Sequence, residues 1–321
     1  MCTAITLCTK HRLFGRTLDV ERRYGEELII TPRFFPLGFT DQSELKSHLA
    51  YIGMGVMSEG EPLYFDGLNE AGVCIAALNF PRFAKYLPYS PRAKNIASFE
   101  LIPRILARCA SIGDVREELS CACITDTPFS DALPPTPLHW IISARDGCVT
   151  VEQTEAGLKI YDNKPGVLTN APEFLFHITR LAEFSGLTAE NPKCAAAENN
   201  QFISGGYGAL GLPGDFSSPS RFIRADFLKK NTVVGEDGVG AFFHIMDSLS
   251  LPLGAVVDNG GFAHRTAYTS CMDADGGMYY FHTYENRRIC AVKLDPRLAL
   301  LNRPTNISVS RAQDVDYISL I

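Results

Sequence analysis

Short strand patterns joined by turns open this chain and recur near its end, and they do not alternate with helices. Residues 2–7 alternate threonine with apolar side chains, and residues 12–18 follow after the turn-forming stretch Cys8-Thr9-Lys10-His11, which predicts a hairpin at the start of the chain. Residues 148–153 and 158–161 flank Thr154-Glu155-Ala156-Gly157, a second hairpin signal. Residues 264–271, 278–282 and 289–293 are separated by turn-rich segments and predict a three-stranded meander. Helical stripes are fewer. Ile102, Ile105, Leu106 and Cys109 fall at helical spacing behind Pro103, and Ser111 with Asp114 resembles a helix-starting box before Val115. Phe174, Ile178 and Leu181 form another stripe, as do Phe222, Ile223 and Phe227, and Phe242, Phe243 and Met246. Each reads as a core-facing helix face. Strands that pair with their sequence neighbours need no crossover helices, so the pattern argues against a doubly wound parallel sheet and for antiparallel sheets covered by helices, an α+β chain.

With 321 residues and 46% apolar content the chain can bury a large core in one or two domains. Its 30 basic and 36 acidic residues give a net charge of −6 with no basic patch, which speaks against nucleic acid as a partner. The apolar start meets Lys10, His11 and Arg12 too soon for a secretory signal, and no run approaches the length of a membrane span. A cytoplasmic protein with reduced cysteines is expected. Of the ten cysteines, the nine beyond Cys2 read as small buried hydrophobes, and neither their spacing nor that of the seven histidines suggests a metal site.

Cys2 stands apart because it follows Met1 directly. Met is removed from chains whose next residue is small, which would leave Cys2 with a thiol and a free α-amine on one residue. Such an amine titrates near pH 7.7–8.0, about right for a general base beside the nucleophile it serves.

Several segments together resemble one family: Met1 to Leu7, Gly15-Arg16 with Leu18-Asp19, residues 63–70 (LYFDGLNE), Ala77-Leu78-Asn79-Phe80-Pro81, Leu138-His139-Trp140-Ile141-Ile142, Val167-Leu168-Thr169-Asn170, and residues 211–216 with Ser220-Arg221-Phe222. In order and spacing, from Met1 to about Lys293, they are similar to the choloylglycine hydrolases, which include bile salt hydrolases and penicillin V acylases. The resemblance implies an N-terminal nucleophile hydrolase fold over residues 1–321 as a single domain, a four-layer αββα sandwich with two antiparallel sheets. It also implies amide hydrolysis without metal or organic cofactor. Carried over position by position, it makes Cys2 the nucleophile, Arg16 the cation beside the sulfur, Asp19 the carboxylate that orients the Cys2 amine, Asn79 and Asn170 the oxyanion-hole groups, and Arg221 the second arginine of the site. Arg224, one helical turn on from Arg221, is the competing candidate for that last role. Thr17 replaces a usual Asn, Ala171 replaces a polar residue, and the stretch Val20-Glu21-Arg22-Arg23 is more charged than in many relatives.

Asn79 favours bile salt hydrolase over penicillin V acylase, since many of the latter carry Tyr there. The same correspondence places Leu18, Phe65, Phe129, Leu133 and Leu138 around the acyl group, where a rigid steroid needs a broad apolar wall. The expected reaction is hydrolysis of conjugated bile salts, releasing glycine or taurine. Other readings are another N-acyl amide hydrolase of the family and a non-enzymatic bile-acid or lipid carrier. A glutamine amidotransferase is disfavoured by the absence of Gly after Met1-Cys2. The Gly-rich stretch 205–214 resembles a loop near the subunit interface and the cavity entrance, which implies a homotetramer. Ser204-Gly205-Gly206 is expected at the leaving-group end, where the lack of a cation favours glycine conjugates modestly.

Overall fold

The computed structural model describes residues 1–193, 205–236 and 238–319. Two antiparallel sheets dominate these residues. In the first, the strands run in the order Val167–Leu168, Cys2–Cys8, Arg12–Val20, Ala263–Asp273, Met278–Thr283 and Cys290–Lys293, with Val256–Val257 added beside Ala263–Asp273. The predicted terminal hairpin and late meander are therefore both present, and they belong to one sheet. In the second, the order is Gly157–Asp162, Gly147–Thr154, Leu138–Ala144, Cys74–Asn79, Asp66–Asn69, Tyr51–Ser58, Glu27–Thr31 and Thr305–Ser308, with Glu61–Tyr64 beside Tyr51–Ser58. The 147–162 hairpin forms its edge. Most of its other strands carry no alternating signal, and the reason is burial on both faces. In Cys74–Asn79, Cys74, Ala76 and Leu78 face the core between the sheets, whereas Ile75 and Ala77 join a second core on the outer side. A strand apolar on both faces reads as a continuous apolar run, with no period of two.

Five α-helices among the described residues cover the outer faces. Helices α1 (Leu101–Arg108) and α2 (Ile112–Glu118) pack on the second sheet, while α3 (Phe174–Ala182), α4 (Ser218–Asn231) and α5 (Gly238–Asp247) cover the first, α3 by way of α4. Four coincide with the predicted stripes, and α2 follows the predicted box at Ser111 and Asp114. Pro103 occupies the first turn of α1, where its missing N–H costs nothing. Ser111 Oγ accepts from Asp114 N at 3.0 Å to start α2. The result is an αββα sandwich of four layers, as expected.

Gly15 lets the sheet close beside the candidate site. A Cβ there would lie 2.0 Å from the Ser270 carbonyl oxygen, so any side chain would push the Ala263–Asp273 strand away from its neighbour Arg16. The cysteine expectation needs correction. Cys74, Cys109 and Cys271 are buried, but Cys8 ends its strand exposed and Cys121 is exposed in a turn at φ 57°; Cys194 lies outside the described residues.

Candidate active site

Cys2 begins a strand hydrogen-bonded along both edges, opposite Leu18 in the register of the terminal hairpin. It is 4% exposed and its thiol is not alone. Arg16, on the next strand, donates from Nη2 to Cys2 Sγ at 2.6 Å. The same guanidinium reaches the opposite sheet, donating from Nη1 to the carbonyls of Ala77 at 2.6 Å and Phe65 at 3.2 Å, and from Nε to Thr17 O at 3.1 Å. Burial works to lower the Arg16 charge, but Cys2, then Tyr268, Asp66 and Asp19, overcome this and hold the guanidinium well above its ordinary value. The cation is thus permanent, and the side chain it donates to among the described residues is that of Cys2.

Asn170 and Arg221 grip the same residue from the other side. Asn170 Oδ1 accepts from Cys2 N at 2.8 Å and from Arg221 Nη2 at 2.7 Å, while its Nδ2 donates to Asn79 O at 2.8 Å. Arg221 Nη1 also donates to Cys2 O and to Thr3 Oγ1, the latter at 2.6 Å. Arg224 faces elsewhere, donating to the carbonyls of Pro213 and Asp215. The structure therefore separates the two arginines that the sequence left in competition: Arg221 reaches the Cys2–Cys8 strand, and Arg224 the Pro213–Asp215 turn.

Asp19 lies beside this cluster, but its carboxylate does not touch the Cys2 nitrogen in the chain that still carries Met1. Oδ1 accepts from Thr266 Oγ1 at 2.7 Å and Oδ2 from Thr17 Oγ1 at 3.3 Å. Met1 instead runs along the Asp19 backbone: its amine donates to Asp19 O at 2.7 Å and its carbonyl accepts from Asp19 N at 2.9 Å. Thr17, the departure from the family pattern, ties the site together, since its hydroxyl also accepts from Thr3 N at 3.1 Å.

Cys2, Arg16, Asp19 and Asn79 line a cavity of about 480 Å³. Leu18, Phe65, Phe129, Leu133 and Leu138 all line it as well. So do residues the sequence reading passed over, among them Tyr24, Val56, Met57, Leu63, Phe99 and Ile102. These come from second-sheet strands, α1 and the loop that follows Arg12–Val20, and only the tertiary fold brings them together. Asn79 is exposed to the cavity, whereas Asn170 and Arg221 stand behind Cys2. Val20 and Glu21 of the charged stretch reach the wall, as does Tyr24 after it; Arg22 packs on the Tyr24 ring at 5.6 Å. Gly205 and Gly206 are not part of the wall, and Ser204 lies outside the described residues, so the expected glycine preference loses its structural basis.

Beneath Arg16 sits Asp66, wholly buried. Its carboxylate accepts from Tyr279 at 2.6 Å, Tyr268 at 2.8 Å and Ser270 at 3.1 Å, which joins the two sheets. Burial raises this carboxyl, with Arg16 and the tyrosines opposing. Elsewhere, burial pushes the thiols of Cys109 and Cys148 up to about 12, the state expected of inert cysteines. Among the described residues His11, Asp273 and Asp275 bring potential metal-ligating atoms within 4.8 Å of one another, but Arg12 already pairs with Asp275 at 2.6 Å and none of the three lines the cavity at Cys2.

This constellation has counterparts. Residues 2–308 match the family of linear amide C–N hydrolases, choloylglycine hydrolase family. The chain is 40% identical over 300 residues to a bile salt hydrolase/transferase of Lactiplantibacillus plantarum, covering 92% of this chain and 93% of the relative. It is 38% identical over 307 residues to a conjugated bile acid hydrolase of Lactobacillus gasseri, covering 92% and 96%. A crystal structure of a variant conjugated bile acid hydrolase from Clostridium perfringens matches with a TM-score of 0.92 at 34% identity, covering 99% of this chain and 100% of that one. A penicillin V acylase from Agrobacterium tumefaciens shares the fold, with a TM-score of 0.76 at 17% identity over 96% and 91% of the two chains. The chain belongs to the choloylglycine hydrolase family and is an amidohydrolase acting on linear amides.

Proposed function

We propose that this enzyme hydrolyses conjugated bile salts, with Cys2 as nucleophile once Met1 is removed. The observation that carries the reading is a buried thiol, held by Arg16 Nη2 at 2.6 Å, at the end of an apolar cavity of about 480 Å³. In this reading the freed α-amine of Cys2 takes the thiol proton, and Arg16 stabilises the thiolate that remains. The sulfur attacks the amide carbonyl. Asn79 donates to the oxyanion from the cavity side and Asn170 Nδ2, which also holds Asn79 O, from behind Cys2, a contribution of about 2.7–4 kcal/mol for each well-aimed donor. The protonated amine then delivers its proton to the leaving nitrogen of glycine or taurine. A water deprotonated by the same amine hydrolyses the thioester and restores the thiol. Asp19 is the group that orients the amine after Met1 departs, and the Thr17 and Thr266 hydroxyls hold its carboxylate ready.

The apolar walls supply affinity for a steroid at roughly 25 cal/mol per Å² removed from water. The relatives named above are bile acid hydrolases at 38–40% identity, which supports the same substrate class here. Ninhydrin detection of glycine and taurine from conjugated bile salts, run beside penicillin V, tests the proposal. Cys2→Ala should abolish release while leaving the melting temperature within a few degrees. Full activity in protein shown by mass spectrometry to retain Met1 would sink the terminal-amine mechanism.

We further propose a homotetramer working in the cytoplasm. The nine described cysteines are all free thiols, and no helix of the described residues is long and apolar enough to cross a membrane. A monomer mass by light scattering at assay concentration defeats the assembly.

A further inference from the structure

We infer that His139 and Glu152 are positioning residues for acyl transfer: together they form a buried joint that fixes the Asn79 segment against the Asn170 segment. The inference rests on the reading of those two asparagines as the oxyanion side. Neither His139 nor Glu152 lines the cavity, and both are wholly buried. His139 lies on the Leu138–Ala144 strand opposite Leu78 of the strand that ends in Asn79. Its ring stacks on Phe80, the residue after Asn79, with centroids 4.2 Å apart and planes 6° from parallel. Its Nε2 lies 3.1 Å from the carbonyl of Thr169, the residue before Asn170. A carbonyl only accepts, so Nε2 is the donor there. One ring therefore touches the chain neighbours of both asparagines.

Glu152 extends the joint. Its Oε1 meets His139 Nδ1 at 2.9 Å, and both carboxylate oxygens accept from Phe174 N, the first residue of α3, at 3.0 and 3.2 Å. A carboxylate at a helix N-terminus is well placed electrostatically. It fixes the helix that carries His177, whose Nε2 donates to Asn170 O at 2.9 Å. Ser218, at the start of α4, accepts from Asn170 N and donates to Asn170 O, both at 2.8 Å. The backbone of Asn170 is thus fixed at its nitrogen, at its oxygen and at the preceding carbonyl. A fully buried histidine–carboxylate pair is costly to desolvate, and an aliphatic pair would fill the same space at less cost. What the pair supplies instead is direction: a fixed donor toward Thr169 O and a fixed acceptor toward α3. Transition-state donors lose their effect when displaced by even about 1 Å.

The test uses the processed enzyme and three variants, with kcat, KM, melting temperature and the rate of Cys2 alkylation by iodoacetamide measured for each. His139→Leu removes the donor to Thr169 O. We expect kcat to fall about 100-fold, the loss typical of a misplaced oxyanion donor, with KM and the alkylation rate within about threefold of the parent. His139→Gln, whose amide can still donate to Thr169 O, should recover most of that loss. A folded His139→Leu enzyme with parental kcat overturns the inference. So does a parallel loss of kcat and alkylation, which marks general collapse of the site. If His139→Leu fails to fold, Glu152→Gln decides: a several-fold loss of kcat at normal alkylation supports the joint, and parental kcat overturns it. Asn170→Ala runs alongside. Unchanged kcat in that variant refutes the oxyanion reading itself, and the inference falls with it.

Discussion

The two ends of the substrate cavity are built by different forces. At the sulfur end, Cys2, Arg16, Asn170 and Arg221 are each at most 6% exposed, and their polar atoms are joined by hydrogen bonds between separate strands, helices and both sheets. At the other end, Phe129 and Leu133 come from one loop, and Leu133 is 39% exposed. What holds that end is apolar packing, such as the edge-on contact of Phe129 with Phe99 at 5.2 Å. Directional bonds in a buried setting fix a geometry; apolar packing tolerates change of shape. The chemistry is therefore rigid where the specificity is adjustable, and substitutions at the two ends should fail in different ways.

The largest effect is expected from Arg16→Met. It removes the cation at Cys2 Sγ and a donor to the carbonyls of Ala77, Thr17 and Phe65, of which Phe65 O keeps Ala77 N at 3.0 Å; a buried acceptor left unpaired costs about 1–3 kcal/mol. Glycine release and Cys2 alkylation should both collapse, and urea denaturation should show a loss of several kcal/mol; retained alkylation would break the contrast. Next comes the pair Arg221→Met and Arg224→Met. The first loses contacts to Cys2, Thr3 and Asn170 and should cost about 100-fold in kcat/KM, whereas the second, whose guanidinium serves the Pro213–Asp215 turn, should stay within several-fold. Equal losses would show that the whole of α4, rather than one side chain, supports the site.

A third expectation concerns acid. Burial holds His177 down at about 4, against an ordinary 6.5, although the Asn170 carbonyl opposes the shift. As pH falls, the unfolded chain therefore binds the proton first. The stability this residue contributes is complete above about pH 6.5 and is lost progressively down to about pH 4, by roughly 3 kcal/mol. Urea midpoints from pH 7 to 4 should fall less steeply in His177→Gln; identical slopes would remove His177 from the account. The smallest effect belongs to the apolar end. Leu133→Ala should raise KM for conjugated bile salts by about threefold to tenfold at nearly constant kcat, as expected for roughly 1 kcal/mol of lost apolar contact. A fall in kcat instead would mean that the two ends are coupled.

The first sheet was largely legible because its strands obey local rules. The terminal hairpin and the 263–293 meander carry turn signals and pair with their neighbours in sequence. The middle of the second sheet was not, because strands such as Cys74–Asn79 bury both faces and lose the period of two. Site residues were reached by family resemblance more than by local chemistry. Nothing around Arg221 favours it over Arg224 until α4 is laid against Cys2. Buried polar partners were invisible for the same reason: Asp66 meets hydroxyl groups more than 200 residues away, and no window on the sequence contains both.

Strand parity makes the spacing between Cys2 and Ala4 a catalytic parameter. Ala4 lies between Leu168 on one side and Arg16 on the other, so the neighbours of the Cys2–Cys8 strand fix its register from both edges. Adding or deleting one residue between Cys2 and Ala4 would turn the thiol to the opposite face of the sheet, away from Arg16. Adding two would keep the face but carry the sulfur about 7 Å along the strand. An insertion or deletion at Thr3 thus encodes a protein that can fold yet has misplaced its nucleophile.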